Sequence, residues 1–322
     1  MSKRALVIGI NHYQHFNSLS GCVNDAQNVK NVLELHANTD KDRNFEVELL
    51  VTEPDQGLSK NFIKDRIETL FQHKRDMSIL YFSGHGYVEN TGGYLITSEC
   101  RRGDNGLSMN DILVMANASP AQNRIIILDC CHAGSFGQNT LHQNNVSVSE
   151  GVTILAASAA DQYSIERGGA GVFTSLFIHA MEGGAASILG EITAGNIYSY
   201  IDKAMGETEQ RPLFITNVRR YTPLRKIASQ ITLEQLRQIT ALFHEGPEQP
   251  FELDETFEPE SGKAIPENVQ KFEVLQKYNR VNLVVPVGAS KPHMYHAAME
   301  EKHCELTPQG KSYWVMVKNG VI

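Results

Sequence analysis

Two uninterrupted apolar runs, "SILYF" at residues 78–82 and "RIIIL" at 124–128, each stop abruptly on small or reactive residues: "SGHG" after the first, "DCCHAG" after the second. Runs of this kind read as strands covered on both faces, since a strand with one wet side would alternate apolar and polar residues. Similar runs recur in "RALVIGI", "NFEVELLV", "GVTILAAS" and "RPLFITN". Between them lie stretches with apolar residues at helical spacing. These are "CVNDAQNVKNVLELH" with Val29, Val32 and Leu33, a helix from Ser59 with a stripe of Phe62, Ile63, Ile67, Leu70 and Phe71, a short helix over Met109 to Ala116, "GVFTSLFIHAME" and "AGNIYSYIDKAM". Strands alternating with helices predict an α/β fold, with a six-stranded, mostly parallel sheet and helices on both faces. Such sheets bind ligands beyond the carboxyl ends of their strands, where His85, Cys130, Cys131 and His132 fall.

The chain of 322 residues, 41% hydrophobic, exceeds the usual size of one domain. Its texture changes near residue 226. A helix "TLEQLRQITALFH" is followed by Glu245–Gly262, which holds seven carboxylates and three prolines and no Lys or Arg. The expected division is 1–226 as the α/β domain, 227–262 as a helix and solvated acidic linker, and 263–322 as a small folded C-terminal α(+β) module. In that module Pro266 opens a helix with Val269, Phe272, Leu275 and Tyr278 inward, and Thr307 and Pro308 start the last one. A formal charge of −8 argues against a dedicated nucleic-acid or anionic-membrane binder. Five scattered cysteines do not form a disulfide framework and fit a reducing, cytoplasmic setting. The N-terminal apolar run, Ala5 to Ile10, is too short for a signal-peptide core, and no run approaches the ~18 apolar residues of a membrane span.

Cysteine attacks a carbonyl as the thiolate, so it needs a base within reach and N–H donors for the oxyanion. Adjacent parallel strands would bring His85 beside a cysteine, and Gly86 could supply an oxyanion N–H. Alternation of side chains at a strand end points Cys130 and Cys131 in opposite directions.

The motifs "ALVIGINHY", "LSGCVNDA", "YFSGHG", "ILDCCHAG", "AASAADQYSIE", "GVFTSLFIHAM" and "QRPLF", in that order over residues 3 to 218, resemble the caspase-like cysteine peptidases, closest to metacaspases and bacterial orthocaspases. The signature around the cysteine of true aspartate-specific caspases is absent. The resemblance implies a caspase-like fold and a Cys-His dyad of Cys131 and His85, with the N–H groups of Gly86 and Cys131 binding the oxyanion. It implies cleavage of proteins after Arg or Lys, with Arg preferred. Asp25 and Asp129 would form the specificity pocket, with Cys22 and Ser83 also lining it. Two carboxylates suit a basic side chain, and a guanidinium can engage them bidentately. Ser158 and Asp161, with Glu166, match a loop bordering the cleft. Self-cleavage is common in the clan, and Arg102 in "ECRRGD" and Arg167 in "IERGGAG", in loops before small or flexible residues, are candidate sites for it.

Some relatives need calcium, held by an acidic cluster. Here "ECRRGDNGLSMND" keeps Asp104 and Asp111 but sets Arg and Asn among them, and "HAGSFGQ" has no carboxylate, so that site is not carried over; no required cofactor and no metal ligand are expected, and calcium dependence is left open. The C-terminal 60 residues loosely resemble a winged-helix module. Eight Lys or Arg against five Glu from Lys263 onward make DNA a weak expectation, and docking to an upstream sensor or target the favoured one. His293, His296, His303 and Cys304 lack the thiol partners usual for structural zinc. The expected role is a regulated bacterial stress or defence protease. An inactive caspase-like scaffold and a winged-helix DNA-binding regulator are the alternatives.

Overall fold

The computed structural model describes residues 2–36, 42–130, 147–157, 166–167, 170–205 and 211–322. They fall into two compact units, residues 1–187 with 191–227 and residues 188–190 with 228–322.

The first unit is built on six strands: β1 (Lys3–Gly9), β2 (Glu46–Val51), β3 (Met77–Ser83), β7 (Asn123–Asp129), β8 (Val152–Ala156) and β12 (Leu213–Asn217). These are the six runs read from the sequence. Between β3 and β7 the chain adds β4 (Gly86–Glu89), β5 (Gly92–Leu95) and β6 (Leu107–Ser108), and between β8 and β12 it adds β9 (Glu166–Arg167), β10 (Ala170–Gly171) and β11 (Glu191–Ile192). The unit ends with β13 (Arg225–Lys226), which pairs antiparallel with β11. The main sheet runs β12-β8-β7-β3-β1-β2, with β12 alone antiparallel.

Helices α1 (Cys22–Glu34), α4 (Val172–His179) and α5 (Ala194–Met205) cover one face, and α2 (Lys60–Phe71) and α3 (Met109–Ala118) the other. Side chains leave the strands alternately. Leu6, Ile8, Leu80, Phe82, Ile126 and Leu128 pack toward α2 and α3. Ala5, Val7, Ile79, Tyr81, Ile125 and Ile127 pack toward α1, α4 and α5. Both faces are therefore apolar and dry, which is why these strands read as continuous runs. Ser59 caps α2 through the Phe62 N–H at 3.3 Å, as expected. Phe62, expected in the buried stripe of that helix, is instead exposed.

The second unit holds α6 (Leu233–Arg237), α7 (Ile239–Leu242), β14 (Phe251–Glu252), α8 (Pro266–Arg280), β15 (Val284–Val287), α9 (Met294–Met299), β16 (His303–Leu306) and α10 (Pro308–Lys318). Its strands form an antiparallel sheet in the order β14-β16-β15. The sequence expectation of a solvated linker over 245–262 is corrected here. Phe251 pairs with Cys304, Leu253 and Phe257 are buried, and the rings of Phe251, Phe257 and Phe272 form a chain of contacts at 5.7 and 6.3 Å. In "FELDETF" the carboxylates of Glu252 and Asp254 face solvent while Phe251 and Leu253 turn inward. A period-two strand pattern was hidden under a high average charge.

The Thr307 cap on α10 is present, accepting the Gly310 N–H at 3.0 Å. The protein's single tryptophan, Trp314, donates its indole N–H to the Phe243 carbonyl at 2.9 Å. Its fluorescence therefore reports this unit. Phe257→Ala in the full chain is expected to lower the unit's stability by about 3 kcal/mol, read as a shifted denaturant midpoint of Trp314 emission. A solvated tether would show no shift.

Candidate active site

The carboxyl edge of the sheet gathers the expected residues. Gly9 on β1 is the register partner of Ser83 on β3, and Ser83 is the register partner of Asp129 on β7. The three thus form one row across the ends of three parallel strands. The start of α1 lies directly over that row because Gly9 has no side chain: a Cβ there would collide with the Cys22 carbonyl and sit 2.7 Å from Ala26 Cβ. This brings Cys22 and Asp25 to the same edge as Ser83 and Asp129, and all four are buried.

Gly171, just before α4, is the second point of close approach. Its N–H donates to Asp25 Oδ2 at 3.0 Å, and a Cβ at 171 would collide with Asp129 Oδ2 and stand 3.2 Å from Asp25 Oδ2. Both carboxylates therefore face the same small volume. From the first turn of α4, Thr174 donates to Asp129 Oδ2 at 2.6 Å. Two buried carboxylates converging at one edge make it a locally acidic site, and the arrangement suits a cationic group.

His85 follows β3 by one glycine and lies partly buried beside this edge. Three features hold it. Its backbone N–H donates to the Tyr13 hydroxyl at 2.8 Å, and that hydroxyl donates to the Ile10 carbonyl at 3.0 Å. Its ring lies against Tyr13, 4.7 Å between centroids, and near Phe16 at 6.2 Å. Its Nε2 is 2.7 Å from the Asn17 carbonyl oxygen. A carbonyl only accepts, so Nε2 carries the proton and Nδ1 of the neutral ring is left as the basic nitrogen. Burial pushes the Tyr13 phenol well above its ordinary range, against the opposing His85 backbone bond, so it remains a neutral hydroxyl. A side chain at Gly84 would come within 2.7 Å of that hydroxyl, which accounts for the glycine before the histidine. Gly86 opens β4, paired with Leu95 on β5.

Of the two adjacent thiols, Cys130 is buried in the core between the sheet and helices α2 and α3, the face opposite to Tyr81. Cys131, Ser158 and Asp161 lie outside the described residues. So do the side chains of Glu166 and Arg167, whose backbones form β9. Arg102 is exposed and pairs with Asp104 at 3.1 Å. Asp111 lies in the first turn of α3, and among the described residues no group of three or more His, Cys, Asp or Glu could hold a metal ion.

Sequence reasoning did not single out Tyr13, Asn17, Gly171 or Thr174. Asn17 acts through its carbonyl, which any residue would supply, so no signal could have found it. Thr174 left a faint one: a hydroxyl on the apolar first turn of a helix that follows a glycine in "AGVFTSLF".

The family model described as Caspase domain, a cysteine peptidase family, matches residues 2–224. A curated relative, Metacaspase-1 of Debaryomyces hansenii, is 29% identical over 150 residues, which cover 41% of this chain and 33% of that protein. The chain thus matches only about a third of that relative's length. Two crystal structures share the fold. One is of a Geobacter sulfurreducens protein, with TM-score 0.51 and 16% identity, over 72% of this chain and 99% of the other. The second is Caspase-1 of Spodoptera frugiperda, with TM-score 0.51 and 12% identity, over 71% and 92%.

Proposed function

Because this chain belongs to the caspase-domain family of cysteine peptidases, we propose that it is an endopeptidase in which His85 and Cys131 form the dyad and cleavage follows Arg or Lys. The observation that carries the specificity is the convergence of the buried Asp25 and Asp129 on Gly171, at the sheet edge from which His85 emerges. Nδ1 of His85 takes the Cys131 thiol proton and the thiolate attacks the scissile carbonyl. The Gly86 and Cys131 N–H groups steady the oxyanion, and the imidazolium returns the proton to the leaving amine. The Asn17 carbonyl holds Nε2–H throughout, so one tautomer serves as both base and acid.

Turnover of matched peptides ending in Arg, Lys or Asp, with Cys131→Ala as control, tests the reading. Activity on the basic peptides that vanishes in the control supports it. Equal cleavage by the control, or a preference for Asp, overturns it. In the same assay Tyr13→Phe is expected to lower kcat about tenfold with little change in KM, since it leaves the partly buried His85 N–H without its acceptor.

Among the described residues no helix is long and apolar enough to cross a membrane. The second unit is proposed as a docking module for an upstream sensor or a target protein. Its helices and three-stranded sheet form a core of their own, which is what an appended binding module requires.

A further inference from the structure

Thr174 is fully buried and its hydroxyl has two partners, Asp129 Oδ2 at 2.6 Å and the Tyr81 hydroxyl at 2.6 Å. The proton order follows from the chemistry of the groups. An ionised carboxylate only accepts, so the single Thr174 proton goes to Asp129, and the Tyr81–Thr174 bond must use the Tyr81 proton. Tyr81 is also fully buried, and burial first, then the nearby Asp129 and Asp25, drives its phenol far above the ordinary range, so it stays protonated as a donor. The Ser83 hydroxyl, two residues along the same strand, is a further partner of Tyr81. A directed row of hydroxyls thus runs beneath the sheet edge and ends on one oxygen of Asp129.

The next residue on α4 shows what a hydroxyl does there without such partners. Ser175 donates back to the Gly171 carbonyl at 3.0 Å, the ordinary bond of a hydroxyl to the preceding turn of its own helix. Thr174 forgoes that bond. Its proton is committed to the carboxylate, which fixes the rotation of the Asp129 carboxylate plane.

That plane matters unequally to the two basic side chains. A guanidinium is a flat fork whose paired N–H groups need a carboxylate turned to meet them, whereas an ammonium bonds well to an oxygen from many directions. We propose that Thr174, its hydroxyl oxygen held in place by the Tyr81 donor, is the positioning residue that turns Asp129 toward a guanidinium and so sets the preference for arginine over lysine before the scissile bond. This rests on the reading that the enzyme cleaves after basic residues.

The test compares kcat and KM on two peptides differing only in Arg or Lys at that position. Thr174→Val is expected to raise KM for the Arg peptide about tenfold and lower the Arg-to-Lys ratio of kcat/KM by a similar factor, with kcat within about twofold of the parent. Thr174→Ser, which keeps the hydroxyl, should restore the ratio. Tyr81→Phe, which keeps the ring but removes the donor that holds the Thr174 oxygen in place, should lower the ratio by about threefold. An unchanged ratio in Thr174→Val, or an equal loss of kcat on both peptides, overturns the proposal. So does an unchanged ratio in Tyr81→Phe, should the valine variant fail to fold. A parent enzyme that cuts after neither Arg nor Lys refutes the basic-residue reading itself. A parent that prefers Arg, with variants that keep that preference, refutes only the role of Thr174.

Discussion

His85→Ala and Cys131→Ala are each expected to reduce kcat by on the order of 10³-fold or more, and the double variant to be little worse than either alone, because base and nucleophile act as a unit. Cys130→Ser should retain most of the parent activity. The contrast between the thiols is strong because the two residues are chemically identical and adjacent. Cys130 is part of the core beneath the sheet and only 1% exposed, so its sulfur has no route to a substrate. Serine there buries a hydroxyl in an apolar site and should cost stability, about 1–3 kcal/mol, rather than turnover. The measurement is kcat on an Arg-ending peptide beside a thermal unfolding curve for each variant. A Cys130→Ser protein that is folded but inactive would reverse the assignment of the nucleophile.

The second large effect concerns charge. Asp129→Asn keeps the size of the side chain and an oxygen able to accept from Thr174, but removes the negative charge that the proposed specificity rests on. A charge-assisted bond in a water-poor site is worth roughly 3 kcal/mol, so kcat/KM for Arg-ending peptides is expected to fall by about 10²-fold. Asp25→Asn should act in the same direction, since both carboxylates meet at Gly171. The check is a peptide with a neutral residue before the scissile bond. Its slow turnover should be unchanged in both variants, because the dyad is untouched. Equal loss on charged and neutral peptides would instead show that the carboxylates support the fold and not the substrate.

The sheet could be read from the sequence because its physics is repetitive: both faces of the central strands β3, β7 and β8 are dry, so each of these is a nearly unbroken apolar run and no register guess is needed to find it. The reactive ends could be read because His85 and the cysteine pair follow such runs directly. Other parts were hidden for identifiable reasons. The small β4-β5-β6 sheet rests on four-residue and two-residue strands rich in glycine, below the length at which alternation becomes a signal. The acidic tract was misread because averaged charge outweighed the inward turn of Phe251, Leu253 and Phe257. Tyr13 and Thr174 act through hydroxyls whose partners lie 72 and 45 positions away, and no local pattern announces a contact of that kind.

The convergence at Gly171 also has a meaning for the life of the chain before it is complete. Asp25 and the amide that holds it are 146 positions apart, so the pocket does not exist on any short stretch of polypeptide. During synthesis the N-terminal carboxylate emerges long before the glycine that fixes it, and the row Gly9, Ser83 and Asp129 aligns only when three strands share one register. A nascent or register-shifted chain therefore lacks the convergence of Asp25 and Asp129. A site built this way is complete only once the chain has been made through α4 and the strands have closed in register.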